Sequence, residues 1–140
     1  MAEKNYNTNL TAEFYVLSIL HRLGIDATLT LGNKKSVDIV VVKGLDDLLT
    51  IDVKGIAGTS LWPTDNVKED KIKKNHFLIF VSFLGKIKEH SIQPETYIVP
   101  SERLKPLLYR NPKGNRVGLR VATRRKDGKD FRDAWHLLTE

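Results

Sequence analysis

Residues 37–54 read VDIVVVKGLDDLLTIDVK. An apolar run, a Gly44-Leu45-Asp46-Asp47 turn and a second apolar run of similar length make two strands of a hairpin. Asp38 heads the first run, and Asp52 and Lys54 stand near the end of the second. Charges are rare in strands this apolar unless they have partners. Being two apart in a strand, Asp52 and Lys54 project from one face. A simple hairpin about this turn sets residue 38 opposite about residue 53 and hence beside Asp52, while a one-residue change of register would reverse its face.

Upstream, Asp26–Leu31 (DATLTL) alternates polar and apolar, and Gly32-Asn33-Lys34-Lys35 supplies a turn before the hairpin. The three strands form an antiparallel meander. Before them, Thr11 is a plausible N-cap for an amphipathic helix whose stripe of Phe14, Leu17, Ile19, Leu20 and Leu23 stops at Gly24. Downstream, Gly55–Asp65 is a loop rich in small residues and proline. Asn66 with Glu69 forms a capping box for a short charged helix ending near Asn75. Phe77–Leu84 (FLIFVSFL) suits a central strand covered on both faces, and Thr96–Val99 is a further short strand. Ser101 caps a helical turn through Leu108, Arg110–Asn115 is a loop, Val117–Ala122 is extended, and Asp130 caps a final helix, FRDAWHLL. The expected fold is α/β (α+β), an αβββαβ core with a mixed central sheet flanked by helices.

The 140 residues make one domain's worth of chain, with 41% hydrophobic and 29% charged residues, close to globular usage. With no cysteine, disulfides, thiolate zinc sites, iron–sulfur clusters and cysteine nucleophiles are excluded. The first residues lack an apolar signal core, and the apolar runs fall short of the roughly 20 residues of a membrane helix. The expectation is a cytoplasmic protein without membrane contact. The net charge of +6 is unevenly placed. Through Pro100, twelve Lys and Arg face twelve Asp and Glu, whereas residues 101–140 hold eleven against five. A surplus confined to one segment reads as a phosphate-facing patch, and Arg116, Arg120, Arg124, Arg125, Lys126 and Lys129 form its acid-poor part. Lys68 and Lys71 either line a nucleic-acid groove or belong to a solvated helix face with Glu69 and Asp70. In the loop after Lys54, Ser60 or backbone amides could meet a phosphate, and Trp62 packs in the core or stacks. The four histidines show no metal-ligand spacing and read as single structural or surface residues.

Adjacent carboxylates repel unless a proton or cation bridges them. A divalent ion such as magnesium takes a few carboxylate oxygens, with water and substrate phosphate completing its shell. A lysine beside it can orient water or stabilise charge on a scissile phosphate. The chemistry that follows is phosphodiester hydrolysis.

Asp38, thirteen intervening residues and then Asp52-Val53-Lys54, on the second and third strands of an αβββαβ order, resemble the PD-(D/E)xK nuclease superfamily, the restriction-endonuclease-like fold that includes Holliday junction resolvases. The resemblance spans about residues 10–100 and leaves a basic C-terminal extension at about 101–140. It implies Asp38 and Asp52 as ligands of Mg2+ or Mn2+ and Lys54 as the catalytic lysine. Glu13, in TAEFYVL, matches the acidic residue that many members carry on the first helix as a further ligand. Val37 stands where the motif names proline, and Asp52 where Glu is commoner; neither change removes a ligand. The resemblance implies a metal-dependent DNA endonuclease, homodimeric by family habit. Because the recognised domain fills most of the chain and leaves little room for a separate sequence-reading module, structure-selective cutting or guidance by an accessory protein is expected. The alternatives are a non-catalytic nucleic-acid-binding module or a protein-interaction module on the same fold.

Overall fold

The computed structural model describes residues 7–30, 37–58, 62–63, 74–107, 109–110, 117–119, 126 and 128–139. Helix α1 (Thr8–Arg22) leads into β1 (Ala27–Leu29), β2 (Ile39–Gly44) and β3 (Asp47–Ile56), the expected meander. After β4 (Trp62–Pro63) come β5 (His76–Ser82) and β6 (Glu95–Pro100), then β7 (Tyr109–Arg110) and β8 (Val117–Leu119), with four 3-10 turns among the described residues. The main sheet has five strands in the order β1-β2-β3-β5-β6. It is mixed, because β3 and β5 pair in parallel while the other neighbours are antiparallel.

β5 lies between β3 and β6 and is buried on both faces, which is why FLIFVS has almost no polar position. On one face Ile39, Val41, Leu49, Ile51, Val53, Ile79 and Val81 pack against Ala12, Val16 and Leu20 of α1. On the other face Leu78, Phe80, Tyr97 and Val99 meet Leu104, Leu107 and Phe131. Residues after Pro100 thus supply the apolar cover of the second face. Phe80 is fully buried, and Phe80→Ala would cost about 3–5 kcal/mol.

Several local expectations are corrected. Helix α1 starts before Thr11, because the Asn7 side chain accepts the Leu10 N–H at 2.9 Å and takes the N-cap; the Thr11 hydroxyl instead donates to Asn7 O. The helix stops where expected, with Gly24 at φ +75°. The hairpin turn puts Asp46 at φ +63°, and Gly44 pairs with Asp47 across it. FRDAWHLL is not one helix but two 3-10 turns, Lys129–Phe131 and Trp135–Leu138. Asp133 separates them at φ +50°, held there because its N–H donates to Thr96 O and its carboxylate accepts the Thr96 hydroxyl at 2.5 Å. Ser101 lies inside a 3-10 turn and not at a helix cap. The small sheet β4-β8-β7 was not foreseen. The charged helix expected after Asn66 falls mostly outside the described residues; Lys74 and Asn75 form a turn, Asn75 at φ +54°, leading into β5. No helix among the described residues is long and apolar enough to cross a membrane.

Candidate active site where two strands part

Strand β3 alternates cleanly. Leu49, Ile51 and Val53 are buried under α1, so Thr50, Asp52 and Lys54 project from the opposite face, where they are half-buried. In the parallel ladder Thr50 is beside His76, Asp52 beside Leu78 and Lys54 beside Phe80. The pair Asp52 and Lys54 therefore shares a face, as its spacing predicted.

Asp38 stands where β2 leaves the ladder. Ile39 pairs with Ile51, yet the Asp38 N–H also donates to Ile51 O at 3.0 Å, one residue out of regular step. The Asp38 carboxylate then accepts the Val53 N–H through Oδ2 at 2.7 Å, filling the place a strand carbonyl would take. On its other side Asp38 O accepts the Thr30 N–H at 2.9 Å and the Thr30 hydroxyl at 3.1 Å; that hydroxyl also reaches Val37 O. Asp38 is thus tied to β3 at residues 51 and 53, on either side of Asp52. A hydrogen bond to a charged acceptor contributes about 1.5–3 kcal/mol, enough to fix both the strand end and the carboxylate.

The third acidic residue is placed differently. Glu13 is 7% exposed on α1, next to Ala12 in the layer that covers the Ile51 and Val53 face. Among the described residues no three His, Cys, Asp or Glu side chains are grouped so as to hold a metal ion. The donor chemistry at β2 and β3 still suits a divalent cation. Magnesium is commonly held through one or two carboxylates, with water and substrate phosphate as the remaining ligands, and Asp38 with Asp52 supplies two hard oxygen donors on neighbouring strands.

One residue of this constellation was missed. His76 is 4% exposed at the head of β5, with Nε2 3.2 Å from Asp52 Oδ2 and Nδ1 2.6 Å from Thr50 Oγ1. Its proximity to Asp52 arises from the parallel pairing of strands more than twenty residues apart, which no local pattern encodes. The available signal was a histidine opening an otherwise apolar central strand. His21 bonds locally, Nε2 lying 2.8 Å from Ala27 O.

Of the residues expected to meet nucleic acid, Lys126 and Lys129 are exposed; Ser60, Lys68, Lys71, Arg116, Arg120, Arg124 and Arg125 lie outside the described residues. The backbone of Trp62 pairs with Leu119 in the small sheet.

No family model matches the sequence, and no curated protein matches it. Among solved structures, the chain is similar to I-Ssp6803I, a bacterial homing endonuclease, with 20% sequence identity over 99% of this chain and 94% of that one and a TM-score of 0.58. Similarity over nearly the whole of both chains at so low an identity establishes a shared fold.

Proposed function

We propose that this chain is a metal-dependent DNA endonuclease of the PD-(D/E)xK type, hydrolysing phosphodiester bonds at the place where β2 and β3 part. The observation that carries the reading is the double anchoring of Asp38 to Ile51 and Val53, on either side of Asp52, with Lys54 two residues further on the Asp52 face. The fold shared with a homing endonuclease supports it.

In this reading Asp38 and Asp52 would hold Mg2+ or Mn2+, which when bound supplies charge neutralisation at the phosphate and a more acidic water. Lys54 donates to an oxygen on which negative charge develops at phosphorus, a contribution of the kind typically worth about 10²–10³ in rate. Asp38 needs no reorganisation to act, since its carboxylate is already held by the Val53 N–H. Arg116, Arg120, Arg124, Arg125 and Lys126, with Ser60, Lys68 and Lys71, are the residues assigned to contact the DNA backbone. Two copies cut the two strands of a duplex; Glu13, on the α1 side of β3 and opposite the Asp52 face, is not assigned to this cation.

The test is incubation of the purified chain with supercoiled, linear and branched DNA, with Mg2+ or Mn2+ and with chelator, beside Asp52→Ala and Lys54→Ala. Metal-dependent cutting lost in both variants supports the nuclease and its site. Undiminished cutting by Asp52→Ala overturns the site, and DNA binding without cutting in all three proteins moves the reading to a non-catalytic binding module.

A further inference from the structure

We propose that His76 is a positioning residue: it holds the Asp52 carboxylate in place for the cation, and Thr50 sets the ring tautomer that does so. This rests on the reading of Asp52 as a metal ligand. Three polar side chains stand in a row on the sheet: Thr50 Oγ1 is 2.6 Å from His76 Nδ1, and His76 Nε2 is 3.2 Å from Asp52 Oδ2. A carboxylate only accepts, so the nitrogen facing Asp52 carries the proton. In the neutral ring Nδ1 is then the acceptor, and the Thr50 hydroxyl donates to it. The chain of donors runs Thr50 to His76 to Asp52, and both ring nitrogens are satisfied.

The location gives this chain its significance. His76 is buried beside Thr50 at the head of β5, where the next five residues are Phe, Leu, Ile, Phe and Val, whereas Asp52 is 23% exposed on its side chain. A buried polar row is a costly substitute for apolar packing, and it specifies one arrangement when every member is satisfied. What this row specifies is the rotamer of Asp52. Ligating side chains are commonly oriented by such outer partners, whose loss typically weakens metal binding by about 10–100-fold. Asp38 is oriented by the backbone and Asp52 by an imidazole, so each of the two carboxylates has its own clamp.

Titration calorimetry of the full chain with Mn2+, without DNA, tests this beside Asp52→Asn, His76→Leu, His76→Gln and Thr50→Val, with melting curves to report folding. Leu fills the buried site without a donor, whereas Gln carries an amide N–H near the position of Nε2. The expected result is weak or absent binding for Asp52→Asn, binding about 10–100-fold weaker for His76→Leu, recovery of most of that loss in His76→Gln, and a smaller loss for Thr50→Val. If His76→Leu does not fold, Thr50→Val decides, because it removes the tautomer's donor without touching Asp52. Parental Mn2+ affinity in a folded His76→Leu, or in Thr50→Val when His76→Leu is unfolded, overturns the positioning role while loss in Asp52→Asn leaves the proposed site standing. Absence of Mn2+ binding in the parent, or its retention in Asp52→Asn, overturns both.

Discussion

Gly55 follows Lys54 at the point where α1 crosses β3. A Cβ added there would lie 2.7 Å from Ala12 Cβ and 3.2 Å from Thr8 O. Carbon atoms in ordinary contact sit about 3.5–4.0 Å apart, so Gly55→Ala requires the first turns of α1 and the end of β3 to separate by about 1 Å. Forcing an extra methyl into a packed contact costs about 1–3 kcal/mol. The backbone of Gly55 is outside the left-handed region, so the alanine also gains roughly 0.4–1 kcal/mol from a less flexible unfolded chain. A net loss of about 1–2 kcal/mol remains, which at a urea dependence of about 2 kcal/mol per molar lowers the midpoint by roughly 0.5–1 M. Ala12→Gly on its own costs about 1 kcal/mol of helix propensity, but it removes the atom that clashes. The double variant should therefore be more stable than the two single losses imply, with a coupling of about 1 kcal/mol read from four urea melts. Additivity within about 0.5 kcal/mol would refute the argument, since independent sites behave that way.

Asp38→Ala should destabilise by about 1–3 kcal/mol, because the N–H of buried Val53 loses its acceptor. Asp38→Asn, which keeps an acceptor oxygen, should melt near the parent and yet fail to cut DNA, a separation read from paired melting and cleavage assays. At the hairpin, Asp46→Val should cost about 1–2 kcal/mol in thermal or urea melts, because φ +63° suits Asp or Gly and not a β-branched residue. Burial, aided by Asp133 and opposed by a Gln93 hydrogen bond and Arg22, pushes the Tyr15 phenol above its ordinary pKa of 10.0. The unfolded chain then releases this proton at lower pH than the folded one, so the Tyr15 contribution is constant below pH 10 and is lost as pH rises beyond it. Tyr15→Phe should flatten that alkaline fall in the urea midpoint.

The meander was legible because its turns are written in Gly and Asp and its strands in Val, Ile and Leu. Burial of β5 on both faces was likewise written in FLIFVSFL. The start of α1 was displaced because two residues one turn apart can both cap, and Asn7 takes the Leu10 N–H while Thr11 turns back to Asn7 O. Beyond Pro100 the pattern fails for a different reason. Leu107, Phe131 and Leu138 are core residues carried on 3-10 turns and Leu104 joins two such turns, and isolated apolar positions on short turns show neither the helical nor the strand period. Asp133 could not be seen to break a helix, because what holds it at positive φ is Thr96 on a strand far away in sequence.

The candidate site divides along the same line between local and tertiary information. Asp52 and Lys54 share a face by spacing alone, and the approach of Asp38 to β3 follows from hairpin length to within the one residue by which β2 leaves the ladder. His76 could not be found that way, since its neighbours Thr50 and Asp52 belong to a strand reached only by a long crossover. The difference has a physical consequence. The hairpin half of the site is local and forms with β2 and β3, whereas the clamp on Asp52 exists only after β5 has docked in parallel beside β3. Asp52 thus acquires its orientation at the step that completes the central sheet.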